Sequence, residues 1–282
     1  MTSQLSYRIL EDIARDLSGN EVTFPTFLDI TFEVRTALNK PDLSIDSLAR
    51  LVSSEPLMST RIIRLANSVA LNPSGRPIID VNTAISRIGT QAVRTVSFAV
   101  AMEQLLKSRN MVPFAALSRR LWEHSMHVAA VCRVLARRLT RVPPDEAMFV
   151  GLIHDLGAFY LLSRAVNFPE LVADQVELYG LLVQWHDHIG HALLAAMALP
   201  EEILTVVQEH ETERSVATIR TLADVLYVAN RLASPEHGWR DPAFCETVDA
   251  TGLAQLFDSA ALDELLAESA DDLASLHSAL SG

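Results

Sequence analysis

Apolar positions recur along this chain at three- and four-residue steps, the period of helices with one buried face. Leu5, Ile9, Ile13 and Leu17 trace a first short helix, broken at Ser18-Gly19-Asn20. Phe24-Pro25 opens a new unit, and Phe27, Ile30, Val34 and Leu38 share one face of the next helix, ended by Asn39-Lys40-Pro41. Asp42 to Ser44 cap a short helix carrying Ile45, Leu48, Leu51 and Val52. Pro56 suits the first position of a helix showing Leu57, Ile62, Ile63 and Leu65 and ending near Asn67. Pro73 to Pro77 reads as a loop, and Val81 to Ile88 as a helix stopped by Gly89. Thr90 caps a longer helix reaching about Lys107.

The stretch Lys107 to Pro113 marks a boundary between two helical subdomains. Beyond it, Leu117, Leu121, His124, Val128, Val131 and Leu135 fall within about 60° of one another at ~100° per residue, predicting one long helix over 115–139. Pro143-Pro144 opens a helix that carries His154-Asp155 and is closed by Gly157. Further helices are expected near 170–179, 188–198, 200–210 and 216–233. Leu253, Leu256, Leu262, Leu265 and Leu266 then predict one or two amphipathic helices. The expected organisation is an N-terminal helix (1–20), a helical subdomain (21–110), a second one (111–235) and an acidic tail (236–282).

Composition agrees with an all-α fold. Hydrophobic residues make up 49% of the 282 but aromatic ones only 6%, and 10 Gly with 12 Pro are too few for a turn-dense β-sandwich. The formal net charge is −12, and residues 241–282 hold nine acidic groups with no Lys or Arg. Such a chain gains little from displacing counterions on a phosphate backbone, which argues against nucleic acid as a partner. A short helix, turn and helix over 42–67 carries Arg61 and Arg64, but ordinary helix packing accounts for it without DNA. Cys132 and Cys245 are far apart with no metal-ligand spacing, which suits a reducing cytoplasm. No apolar run approaches the ~18 residues of a membrane span, so no membrane role is expected.

The chemistry concentrates on histidines. His154-Asp155 lies in the apolar run Phe149 to Gly157, where an imidazole beside a carboxylate is costly unless something satisfies both. His124 stands in the apolar stripe of its helix, so its ring points inward. His186 and His210 are further candidates to converge on the pair. Imidazole with carboxylate is a ligand set for Zn, Mn or Fe that leaves positions open for water or phosphate. Satisfied core histidines are the plainer alternative. His188 and His191 read as partly exposed helix residues, and Trp122 as packing.

These residues carry a resemblance. Phe24-Pro25, Glu55-Pro56-Leu57, Arg64 to Ser68, Ala84-Ile85 through Ile88-Gly89, and Val93-Arg94 resemble the HDOD family, part of the HD superfamily of helical metal-dependent phosphohydrolases. Leu121 to Ser125, Gly151 to Gly157, His186 with Gly190, Leu199-Pro200 and Ala229 to Leu232 continue it, over roughly 20–235. The resemblance implies an HD-like second subdomain with His124, His154, Asp155, His186 and His210 as metal ligands. It also marks two departures from catalytic relatives. Asn230 stands where a last Asp would be, and Ala158 replaces a Lys that would stabilise phosphate charge in the transition state. The Gly-Tyr-Pro motif of cyclic di-GMP phosphodiesterases is absent from the sequence. The expected function is therefore a non-catalytic signal-transduction module with a degenerate metal site. Its expected partners are signalling proteins such as response regulators or cyclic-di-GMP enzymes. The alternative is a metal-dependent phosphohydrolase acting on a nucleotide or cyclic dinucleotide.

Overall fold

The computed structural model describes residues 4–18, 29–40, 42–68, 72, 75–244, 253 and 256–280. Phe24, Pro25, Phe27 and Cys245, with Gly19, Asn20, Pro41, Pro73 and Ser74, lie outside the described residues. The structure is all-α, with no strand among the described residues. It divides into two units, one of residues 1–24 and 106–265, the other of residues 25–105 and 266–282.

In chain order, α1 (Gln4–Ser18) buries Ile9 and Ile13, as its spacing requires. The second unit then begins with α2 (Asp29–Leu38), α3 (Ile45–Ser53), α4 (Pro56–Ala66) and α5 (Val81–Leu106). Ser44 caps α3, its hydroxyl accepting from Ser47 N at 3.1 Å, and Pro56 occupies the first turn of α4. Gly89 breaks α5 into two runs with φ 80° and ψ 165°, a conformation that disfavours a side chain. Arg61 of α4 does not face solvent as a phosphate contact would. It is 1% exposed and paired with Glu103 of α5, while Arg64 donates to Ser278 O at 3.1 Å.

The first unit resumes with a 3₁₀ turn (Arg109–Phe114) and α6 (Ala115–Leu139), whose ends fall where the stripe predicts them. Next come α7 (Pro144–Ile153), α8 (Leu156–Ala165), α9 (Pro169–Ala173), α10 (Gln175–Ala196), α11 (Glu201–Gln208) and α12 (Leu222–His237). The α7–α8 stretch, Pro144–Ala165, is 22 residues long and apolar enough to cross a membrane, contrary to expectation, but its most apolar 18-residue window is 94% buried inside the protein. It is core, and His154-Asp155 divides it. α13 (Ser259–Leu280) follows in the acidic tail.

Three expectations need correction. Gly157 does not close the helix bearing His154; the break falls at His154-Asp155, and Gly157 lies in the first turn of α8. The helices expected at 170–179 and 188–198 are a five-residue α9 and one 22-residue α10, which runs through His186 without a break. The last expected helix starts at Leu222 and not near 216, because Thr221 and Asp224 form a reciprocal cap. Asp224 accepts from Thr221 N at 3.0 Å and from Arg220 N at 3.1 Å, and Asp224 N donates to Thr221 Oγ1 at 3.1 Å.

Candidate metal centre

Four elements of the first unit and the turn beyond α11 bring the predicted residues together. α6 supplies His124 from its buried stripe, and His154 ends α7. Asp155 sits between α7 and α8 at φ −97°, ψ 17°, the bridge region that many active-site residues occupy. α10 supplies His186, and His210 follows α11. All five are 2% exposed or less. His186 depends on a close approach of α10 to α8. A Cβ on Gly157 would stand 1.9 Å from His186 O and 2.5 Å from Gly190 N, so only glycine lets these backbones meet.

Asp155 is the hub. Its Oδ2 lies 3.2 Å from His154 Nε2 and 3.7 Å from His124 Nε2; its Oδ1 lies 3.5 Å from His186 Nε2 and 3.6 Å from His210 Nε2. Ring centroids of His124 and His154, His154 and His210, and His186 and His210 are 5.2, 5.0 and 5.3 Å apart. Two triads result, His124–His154–Asp155 and Asp155–His186–His210, and each could hold a metal ion.

The hydrogen bonds behind the rings decide what they offer. His154 Nδ1 meets Gly151 O at 2.7 Å, His186 Nδ1 meets Leu182 O at 2.8 Å, and His210 Nδ1 meets Val207 O at 2.6 Å. A carbonyl only accepts, so each Nδ1 carries the proton and donates it. In the neutral ring Nε2 is then a bare lone pair aimed at a carboxylate. The three Nε2 atoms and both Asp155 oxygens make no hydrogen bond. Lone pairs converging on a buried carboxylate repel unless a proton or a metal cation stands among them. Nδ1–H held by a backbone carbonyl is also how metal-binding histidines are oriented. The residues present therefore fit a divalent ion.

Electrostatics follow the same logic. Burial opposes the charge on Asp155, but His154, His210 and His186 outweigh it and hold the carboxyl well below its usual range. Burial pushes the His124 ring down to about 3, against the pull of Asp155 and of the neighbouring Asn230 amide. His186 behaves oppositely. Burial disfavours its charge, yet Glu211 and then Asp155 raise it to about 9.

Glu211 is the group the sequence reading missed. Its Oε1 lies 3.6 Å from His186 Nε2 and 3.8 Å from His210 Nε2, while its Oε2 is bound by Arg240. The cluster thus faces two carboxylates, where the sequence pointed to one. The only signal available was an acidic residue directly after His210. Trp239 stands edge-on to His186 with centroids 5.8 Å apart, and is 3% exposed. Asn230 lies in α12, 2% exposed, and Ala158 is buried in α8. His188 is exposed on α10, paired with Asp187. His191 on the same helix is half-buried.

This geometry defines a helical protein of the HD-like class. The chain belongs to the HDOD domain family, whose pattern matches residues 24–213. Solved structures share the fold. A Shewanella amazonensis protein provisionally named a metal-dependent phosphohydrolase is 24% identical with TM-score 0.68, the match covering 95% of this chain and 99% of that one. An HDOD domain protein of Geobacter sulfurreducens is 22% identical with TM-score 0.59, over 94% of this chain and 89% of that one. A Marinobacter aquaeolei protein provisionally named a signal transduction protein is 16% identical with TM-score 0.65, over all of this chain and 67% of that one. A Treponema pallidum protein is 22% identical over 195 residues, which is 63% of this chain but 36% of that longer one.

Proposed function

We propose that this chain is a cytoplasmic regulatory module that holds a divalent cation in a closed histidine site and acts by binding other signalling proteins, without turnover. The observation that carries this reading is closure. His124, His154, Asp155, His186 and His210 are each 2% exposed or less. So little exposure leaves water and a phosphate substrate scarcely any way to the ligands, whereas a catalytic metal needs a position that both can reach. Asn230 and Ala158 point the same way, since they lack a carboxylate and an ammonium that catalytic relatives use. The Marinobacter protein's name places a relative by fold in signal transduction. On this reading response regulators or cyclic-di-GMP enzymes are the partners, and the ion is Zn, Mn or Fe. Elemental analysis of purified protein should find at least one ion per chain, and affinity capture should recover a signalling protein. Cleavage of cyclic di-GMP or bis-(p-nitrophenyl) phosphate by the metal-loaded protein would overturn it.

A second reading, metal-dependent phosphohydrolysis, draws on the two triads that share Asp155. Two adjacent cations are an arrangement that clamps a phosphodiester. It expects turnover that His154→Ala abolishes.

A further inference from the structure

The two triads leave one acidic group of the cluster unused. Glu211 has its two oxygens on different sides. Oε1 faces the Nε2 atoms of His186 and His210 at 3.6 and 3.8 Å, and Oε2 is engaged by Arg240. The two histidine nitrogens make no hydrogen bond, and both residues are 2% exposed or less, so a cation between them would meet Oε1 as well as Asp155 Oδ1. Charge favours this arrangement. Asp155 alone cannot neutralise a divalent ion, and Asn230 contributes no charge; Glu211 adds a second anionic oxygen, its charge partly offset by Arg240.

Arg240 stands on a segment held at several points. It belongs to a strap after α12 in which Trp239 abuts His186, Asp241 pairs with Arg120 at 3.5 Å, and Phe244 stacks on Tyr179 with centroids 5.0 Å apart. Arg120 donates in turn to Tyr179 Oη at 2.6 Å. The backbone that carries the guanidinium is therefore anchored beside Glu211, and with Oε2 taken by Arg240 the oxygen turned to the histidines is Oε1. Carboxylate ligands are commonly held this way by an outer hydrogen bond, whose loss costs metal affinity.

We propose that Glu211 Oε1 is the fourth protein ligand of the cation held by Asp155, His186 and His210, and that Arg240 is the positioning residue that presents it. This rests on the metal-holding reading above and adds a ligand that neither the sequence resemblance nor the triads include. The test is titration of the metal-free full chain with Co2+, followed by calorimetry and by the visible bands that report the ion's coordination. Glu211→Gln should weaken binding at least tenfold and shift the cobalt spectrum. Arg240→Gln should weaken it about 10- to 100-fold, with partial recovery in Arg240→Lys. Unchanged affinity and spectrum in Glu211→Gln, with the wild type binding normally, would overturn the assignment and leave the metal-holding reading intact. If Glu211→Gln does not fold by circular dichroism, the Arg240 pair decides: equal affinities for Arg240→Gln and wild type overturn the proposal. A wild type that binds no cation removes the metal-holding reading and this one with it.

Discussion

Gly157 shows how much one hydrogen atom can matter. Its α-carbon lies where α8 crosses α10, against the carbonyl of a candidate ligand. A methyl group there meets backbone, which cannot rotate away, so the helices must part. Gly157→Ala should destabilise the protein by on the order of 3 kcal/mol in urea unfolding and weaken metal binding by displacing His186. Retention of both at wild-type levels would show that the crossing is looser than described. At this scale the sequence was legible where a residue's chemistry is its own. His124, His154, Asp155, His186 and His210 do converge, and the inward aim of His124 was readable from its stripe. Glu211 was not readable, because its role depends on Arg240 and on rings from α10 and the turn after α11. Gly157 was misread as a helix terminator, since its spacing permits either role and only the approach of α10 settles it.

Among the elements, helix starts marked by local chemistry were legible and unmarked ones were not. Ser44 and Pro56 begin α3 and α4 as their side chains dictate. The cap at Thr221 and Asp224 carries the same kind of signal, and overlooking it placed the start of α12 several residues early. α10 gave no clear stripe because it is buried on much of its circumference, so its continuity through His186 was hidden. The cap supplies a pH test. Burial raises the Asp224 carboxyl, but amide hydrogen bonds from Thr221 and Arg220 outweigh it and leave it below its usual range. A carboxyl depressed by folding adds stability above its unfolded pKa and loses it as pH falls through the folded value. Asp224→Asn should therefore cost about 0.5 kcal/mol at pH 7, a difference that shrinks below about pH 4. A pH-independent difference in denaturant midpoints would contradict this.

For the whole molecule, the fold class followed from composition and periodicity. Residues 1–24 belong with 106–265, and such long-range membership leaves no trace in local pattern. The net charge of −12 also acts at this scale. The protein should give no salt-dependent shift of duplex DNA in a gel, and a shift that weakens with salt would revise the account of its surface. Metal linkage gives a further measure. A cation bound only by the folded state at about 100 times its dissociation constant adds roughly 2.7 kcal/mol. Chelation should accordingly lower the melting temperature by several degrees, and Asp155→Ala, which removes the ligand that both triads share, should erase that difference.

The position of α1 bears on how the chain reaches its native state. Its buried face, Ile9 and Ile13, belongs with α8 and α10, and the ties Arg164 to Asp12 at 2.6 Å and Ser6 to Glu177 at 2.8 Å bind it there. A ribosome makes this helix long before it makes either of those. The nascent α1 thus emerges with an apolar face whose native cover is not yet made, and burying it in its native place waits for both helices. Newly made chains should depend on chaperones until residue 186 or so has cleared the exit tunnel, a dependence that pulse-labelled nascent chains of graded length would reveal.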